Sequence, residues 1–509
     1  MPEHRFRLSR ATVQWIGLIA GPLAALAVHL VLPEAFVNAS GDRVPFPVAG
    51  RATAAIGVWM AVWWLTEAIH VSATALLPIV LLPITGATTI EDATLPYANP
   101  LIYLFMGGFL LSLSMQRWDL HRRIALITLR LVGTEPNRMI AGFMVVTAVL
   151  SMWVSNTATT VMMLPIALSV IDLVLRQKAG QSLGTTLPQT GRNFSIALLL
   201  GVAYAASIGG VGTIIGTPPN LVLVSFIRET LGQEISFARW MLVGMPFVVI
   251  LLPLCWVLLT RVLYPIRIER VEGGRRLTQA AYEELGPVKR GEWVTSGVFV
   301  LTATAWILRP LLVQIQIGGF APFVGVTDAG IAMAAGLLLF VIPVNVRERV
   351  FVMDWDGARQ LPWGILILFG GGLSLAEAID ANGVGAFLGA QVADLGHAPA
   401  LLIVLAVVAL VAVLTNLTSN TATAATLIPI MSSIAPGLGL SPYVMIVPVA
   451  LAASCAFVMP VATPPNAIVF GSGYLSIPEM ARAGIWLNLA SVLLIAALSL
   501  ILVPLILGG

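Results

Sequence analysis

The chain has 509 residues, of which 58% are hydrophobic and only 10% charged. A soluble domain carries roughly 25% charged residues, so this chain has too few polar side chains to cover a water-facing surface. The formal net charge of +3 rests on 27 Lys and Arg against 24 Asp and Glu, without a basic stripe, which excludes nucleic acid as a partner. The two cysteines, Cys255 and Cys455, lie in apolar runs and supply neither a disulfide framework nor a thiolate metal site. The composition predicts an integral membrane protein, all-α and polytopic, with the lipid bilayer as its solvent.

A crossing of about 30 Å of hydrocarbon takes about 20 apolar residues. The basic start (Arg5, Arg7, Arg10) leads into 13–32, which is too long for a signal-peptide core and reads as a first span. Further spans read at 50–69, 72–88, 99–117, 193–232, 238–262, 292–316, 324–344, 361–378, 442–475 and 484–507, giving 11 transmembrane helices. Glu67 and His70, at the inner end of the second span, read as part of a tight turn. Residues 118–134 carry Arg122, Arg123 and Arg130 among Leu and Ile and read as an amphipathic helix on the cytoplasmic surface. Their counterpart at 379–396 has Asp380 and Asp394 instead, and Glu377 and Asp380 read as solvated. Two regions, 137–178 and 398–437, are apolar at both ends and polar in the middle, the pattern of a re-entrant hairpin. Two spans, 193–232 and 442–475, are too long for one crossing and are interrupted by Pro-Pro, so each reads as a broken helix. Residues 263–290 read as a polar cytoplasmic loop.

Charge placement orients the chain. The N-terminus, 117–138, 176–192, 261–290, 347–359 and Arg482 hold every Lys and Arg except Arg43, Arg51, Arg228, Arg239 and Arg309. The positive-inside rule therefore puts the N-terminus in the cytoplasm and the C-terminus outside, in the cell (inner) membrane.

The chain also repeats itself. Ser155-Asn156-Thr157-Ala158-Thr159 recurs as Ser419-Asn420-Thr421-Ala422-Thr423, and Gly107-Gly108 as Gly371-Gly372, at the same shift. Thr217-Pro218-Pro219-Asn220 recurs as Thr463-Pro464-Pro465-Asn466. Five spans separate equivalent positions, so the halves are inverted in the membrane, as in secondary transporters with a midplane site at the repeat interface. The expected organisation is 1–49 as N-terminus and first helix, 50–262 as the first repeat, 263–290 as linker and 291–509 as the second repeat.

The clusters carry the chemistry. Ser155 and Thr157, with Ser419 and Thr421, are N-cap residue types for the helix leaving each tip. Asn156 and Asn420 offer both donor and acceptor. Free N–H groups at a helix start suit a carboxylate, while hydroxyl, amide and carbonyl oxygens suit Na⁺. Thr-Pro in each break reads as an N-cap followed by proline at the first helical position. No Lys or Arg lies in either cluster or break, so an anion there must be held by helix ends, polar oxygens and nitrogens, and bound Na⁺. No P-loop, HExxH or GxSxG is present, and no enzymatic constellation is expected; a channel would need a continuous polar lining that two short tips do not provide.

With Trp64-Leu65-Thr66-Glu67, Leu150-Ser151-Met152-Trp153-Val154-Ser155-Asn156-Thr157, Gly216-Thr217-Pro218-Pro219-Asn220, Thr418-Ser419-Asn420-Thr421 and Ala462-Thr463-Pro464-Pro465-Asn466-Ala467, nearly the whole chain resembles the divalent anion:sodium symporter family. The resemblance implies a homodimer with a scaffold domain and a moving transport domain, working by an elevator mechanism. It implies one Na⁺ site from Ser151, Ser155, Asn156 and Gly216 and another from Thr415, Thr418, Asn420 and Ala462. Asn156, Thr157, Asn420, Thr421 and Pro464 would hold the dicarboxylate. His70, Ser207 and Asn416 depart from the family's usual Pro, Asn and Glu. The expected function is Na⁺-coupled symport of C4-dicarboxylates such as succinate, malate and fumarate. The alternatives are dicarboxylate exchange not driven by Na⁺, and Na⁺-coupled sulfate or citrate transport.

Overall fold

The computed structural model describes residues 10–37, 42–133, 135–179, 189–268, 274–317, 320–392 and 398–507. Arg5, Arg7, Asp394 and 180–188 of the polar link lie outside the described residues.

The first helix, α1 (Arg10–Val31), packs along α2 (Val48–Thr66), with a small antiparallel ribbon between them. Then follow α3 (Val71–Thr74), α4 (Leu77–Ile84), α5 (Ile90–Thr94), α6 (Pro100–Arg117), α7 (Leu120–Val132), α8 (Pro136–Ser151), α9 (Asn156–Ala179), α10 (Gln189–Gly210), α11 (Pro218–Leu231) and α12 (Phe237–Val257), which continues as a π-helical turn to Leu263. After α13 (Gly274–Glu284) come α14 (Arg290–Leu312), α15 (Asp328–Val341), α16 (Trp355–Ala358), α17 (Trp363–Ala381), α18 (Val384–Val392), α19 (Ala400–Thr415), α20 (Asn420–Ile434), α21 (Pro442–Ala453), α22 (Pro464–Phe470) and α23 (Ile477–Leu507). Helices α6 to α12 answer to α17 to α23 one for one. Proline sits at the start of α6, α8, α11, α21 and α22, where its missing N–H costs nothing and its fixed φ suits the first turn.

Among the described residues, 10 helices are long and apolar enough to cross a membrane. This number differs from the 11 spans read in the sequence in a definable way. The second arms of the two hairpins, Asn156–Leu175 and Asn420–Leu438, qualify by length, whereas 72–88, 324–344 and 442–475 contain only shorter helices: Val71–Ile84, Asp328–Val341 and Pro442–Ala453. Proline and capping residues shorten them. Both predicted breaks are present, at 211–217 and 454–463.

The two halves pack crosswise. Gly107 of α6 lies against the backbone of Ala332 in α15, where a Cβ would overlap the Ala332 carbonyl. Its repeat counterpart Gly371 of α17 lies in the same way against the backbone of Ala75, between α3 and α4. Phe105 and Phe369, equivalent residues, meet at 4.9 Å between ring centroids. Further along, α11 packs on α20 and α22 on α9, so each broken helix rests on the hairpin of the other half.

Two sequence expectations are corrected on the polar side. Residues 263–290 are not simply a loop: they contain α13, which docks on α7. The guanidinium groups of Arg123 and Arg130 lie 5.5 and 4.7 Å from the Tyr282 ring centroid. The helix α7 is amphipathic as read, but Arg123 does not face solvent. It is 5% exposed, pairs through two nitrogens with Glu292 (2% exposed) at the start of α14, and donates to the Gly286 carbonyl at 3.1 Å. Nearby, Arg117 pairs with Asp354 at 2.6 Å and holds that carboxyl below the usual carboxylate range. The turn after α2 forms as read. Glu67 adopts φ +48 there, and His70, exposed, caps α3 by accepting the Ser72 N–H on Nδ1. Asp380 is exposed, but Glu377 is half-buried rather than fully solvated.

Removing one partner of a buried pair strands the other charge. Arg123→Leu or Glu292→Leu alone is expected to cost about 3–5 kcal/mol, and the double variant to recover most of it. Thermal unfolding of the three variants in detergent checks this; additive losses would contradict it.

Candidate functional site

The site is built where helices stop. At the first tip α8 ends at Ser151 and α9 begins at Asn156. The Ser151 hydroxyl donates to Asn156 Oδ1 at 2.6 Å. The N-cap place belongs to Ser155, whose Oγ accepts the Ala158 N–H at 3.3 Å. Thr157 is the second residue of α9, inside the first turn, so it is not a cap. At the second tip α19 ends at Thr415 and α20 begins at Asn420, with Ser419 as N-cap. Thr421 again lies inside the first turn. The Thr415 hydroxyl lies 2.7 Å from Asn420 Oδ1 and 2.6 Å from the Ala453 carbonyl, and its single proton serves one of them at a time. Ser151–Asn156 and Thr415–Asn420 are thus the same bond, made twice.

Each tip meets its own half's helix break. A Cβ on Gly210 would stand 2.6 Å from Asn156 Oδ1, and one on Gly216 would overlap the Gly210 carbonyl, so Asn156, Gly210 and Gly216 are in contact. The Thr213 hydroxyl donates to the Met152 carbonyl, fastening the break to the tip. In the second half the fastening comes from Asn416. Its amide donates to the Ala412 carbonyl at 2.6 Å and its Oδ1 accepts the Val458 N–H at 2.8 Å. That bond explains an uncharged residue at Asn416: a carboxylate there would lack the donor to Ala412. Ser207, another departure, is buried with its hydroxyl unpartnered. Thr418 is engaged with the Leu414 carbonyl at 3.0 Å and the Thr423 hydroxyl at 2.8 Å.

Thr217 and Thr463 are N-caps with proline next, as read. Only Thr463 caps with its side chain, accepting the Asn466 N–H at 3.3 Å. The sequence reading quoted Asn220 and Asn466 but gave them no role. Both are fully buried and reach back across the break. Asn220 Nδ2 donates to the carbonyls of Thr213 (2.8 Å) and Val211 (3.1 Å), and Asn466 Nδ2 to those of Met459 and Ala456, both at 3.0 Å. Their duplication was the available signal.

Burial separates the predicted site residues into two layers. Ser151, Gly216, Thr415 and Ala462 are buried. Asn156, Asn420, Thr421 and Thr418 are half-buried, and Ser155, Thr157 and Pro464 are exposed. Residues 139–171, 193–227 and 395–478, which contain both tips and both breaks, include no Asp, Glu, Lys or Arg. The donor set is hydroxyl, amide and carbonyl oxygen, which fits a hard monovalent cation, with N–H groups at helix starts for an anion. A separate cavity of about 520 Å³ between α11, α17, α18 and α20, lined by Phe226, Thr230, Asp380 and Ser433 among others, holds none of the predicted site residues.

Comparison with known proteins agrees with this architecture. The family model described as the sodium:sulfate symporter transmembrane region matches residues 23–507. The sodium-dependent dicarboxylate transporter SdcS of Staphylococcus aureus (strain MRSA252) is 41% identical over 500 residues, covering 98% of this chain and 93% of the relative. The SdcS of strain bovine RF122 / ET3-1 is 41% identical over 497 residues, covering 97% and 92%. Two solved structures share the fold at low identity. The YdaH transporter of Alcanivorax borkumensis gives a TM-score of 0.57 at 14% identity, covering 96% of this chain and 97% of that one. MtrF of Neisseria gonorrhoeae gives 0.58 at 10%, covering 97% and 95%. With a family model spanning nearly its whole length and relatives at 41% identity, the chain belongs to the sodium:sulfate symporter family, the group whose divalent anion:sodium symporter motifs its sequence carries.

Proposed function

We propose that this protein is a secondary active transporter that couples Na⁺ to the uptake of C4-dicarboxylates such as succinate, malate and fumarate. The observation that carries the reading is the duplicated, charge-free, oxygen-rich site: one Ser or Thr hydroxyl bonded to one Asn at each of two helix tips, each against a broken helix. The SdcS relatives named as sodium-dependent dicarboxylate transporters support the ligand pair.

The two layers divide the work. Ser151, Ser155, Asn156 and Gly216 form one Na⁺ site, and Thr415, Thr418, Asn420 and Ala462 the other; Ser151, Gly216, Thr415 and Ala462 are their buried members and Ser155 their exposed one. Asn156, Thr157, Asn420 and Thr421, with Pro464 beside them, take the two carboxylates, one tip each. A doubly charged anion entering this region would lose hydration and meet no cationic side chain. Na⁺ bound first supplies the missing positive charge, so cation and anion binding become linked.

In this reading 50–262 and 291–509 are repeats inverted in the membrane, 137–178 and 398–437 are re-entrant hairpins, and 193–232 and 442–475 are the broken helices. The N-terminus is cytoplasmic and the C-terminus extracytoplasmic. The chain works as a homodimer whose hairpins and broken helices form the moving transport domain of an elevator, riding on a scaffold that includes α2, α6, α14, α15 and α17. The packing of α6 on α15, and of the hairpins on α10, α11, α21 and α22, supports that division.

Succinate uptake into proteoliposomes is expected to require an inward Na⁺ gradient. Equal uptake without Na⁺, with counterflow intact, would point to exchange instead, and strong competition by sulfate would shift the substrate class. At the site, Thr421→Ala should weaken substrate affinity more than Na⁺ affinity, and Ser155→Ala should raise the Na⁺ concentration needed for half-maximal uptake. Equal effects of both variants on both ligands would contradict the division of roles.

A further inference from the structure

The two buried asparagines that close the helix breaks share a geometry that goes further than packing. In the first half the Thr213 carbonyl accepts two hydrogen bonds, one from the Gly216 N–H at 3.4 Å and one from Asn220 Nδ2 at 2.8 Å. In the second half the Met459 carbonyl accepts from the Ala462 N–H at 3.2 Å and from Asn466 Nδ2 at 3.0 Å. A second bond from each amide reaches farther back, to Val211 or Ala456. Gly216 and Ala462 are the residues that each break contributes to a Na⁺ site in the function proposed above. Each asparagine is therefore one shared carbonyl away from a proposed ion ligand without touching the ion site itself.

Orientation is fixed by chemistry. Only the NH₂ end can face three carbonyls, so the amide of Asn220 cannot be turned around. The acceptor end, Oδ1, is buried and unpartnered in both Asn220 and Asn466. A buried acceptor without a partner is unfavourable, and the same cost recurs at both equivalent positions. What each side chain satisfies is the donor demand of the break: carbonyls released from helical bonding inside an apolar bundle.

We propose that Asn220 and Asn466 are positioning residues for ion coupling: each amide NH₂ sets the course of the broken segment that presents Gly216 or Ala462 to its Na⁺ site. The proposal rests on the symport reading. Groups that orient the ligands of a metal ion typically change its affinity by about 10–100-fold when altered. The effect falls on Na⁺ before it falls on turnover.

The test uses the full chain in proteoliposomes, with Na⁺ titrations of succinate uptake for wild type and for Asn220→Asp, Asn466→Asp, Asn220→Leu and Asn466→Leu. Aspartate keeps the shape of asparagine but has no donor when ionised and one when protonated. The expected result is a half-saturating Na⁺ concentration raised at least about tenfold in each folded variant, with uptake at saturating Na⁺ near wild type. For the Asp variants the gap to wild type grows as pH rises from about 5.5 to 8.5, because the proton that supplies the donor is lost. For the Leu variants the gap does not change with pH. Asp variants with a wild-type Na⁺ requirement at the highest pH would overturn the proposal. So would lower maximal uptake with an unchanged Na⁺ requirement. Should the Leu variants not fold, the Asp pair and its pH profile decide alone. Wild-type uptake indifferent to Na⁺ would instead overturn the symport reading, and the positioning role with it, and is seen in the wild-type titration before any variant is compared.

Discussion

A peptide group that leaves a helix inside an apolar bundle must find another partner, and the rest of this structure follows from that requirement. The chain breaks at 152–155, 211–217, 416–419 and 454–463. Every break is closed by short polar side chains: Thr213 onto Met152, Asn220 onto Thr213, Asn416 onto Val458, Asn466 onto Met459. Serine, threonine and asparagine are small enough to fit and carry no charge to bury. The residues proposed to meet the ligands, Ser151, Asn156, Thr415 and Asn420 among them, lie beside these closures.

The same requirement shapes the tips. At each tip a hydroxyl is already bonded to an asparagine, Ser151 to Asn156 and Thr415 to Asn420. In the proposed symport, oxygens of this kind, with no carboxylate among them, bind a cation weakly enough for release and well enough for a gradient to matter. Thr157 and Pro464 are exposed at helix starts, where N–H groups favour negative charge. In the proposed symport the two layers need each other because neither contains a fixed charge.

Much of this was legible in the sequence because it was written twice. The tips, the breaks, the hairpins at 137–178 and 398–437 and the proline-led helix starts all appear as duplicated local patterns, and local patterns are what a sequence displays. The misreadings share a cause. Arg123 looked solvent-facing because its partner Glu292 and its ring neighbour Tyr282 are more than 150 residues away. Thr157 and Thr421 looked like caps because capping depends on where the backbone turns, and it turns at Ser155 and Ser419. Asn220 and Asn466 passed as part of a motif because their bonds run seven to ten residues backward through a non-helical segment, a geometry with no periodicity. The spans read at 72–88, 324–344 and 442–475 hold only shorter helices, whereas the hairpin arms Asn156–Leu175 and Asn420–Leu438, read as no spans, are long enough to cross.

The crosswise contacts have a bearing on how the protein is made. Gly107 waits for Ala332, the groove on α9 waits for α22, and α11 waits for α20. When the ribosome has delivered the first half, the hydrogen bonds that close its break are available within it, but its small-residue faces still lack their partners. The packing of the first half is therefore incomplete until α15, α20 and α22 have been made. Folding of this chain is a late, long-range event, and the period before it is when quality control has the most unfinished surface to recognise.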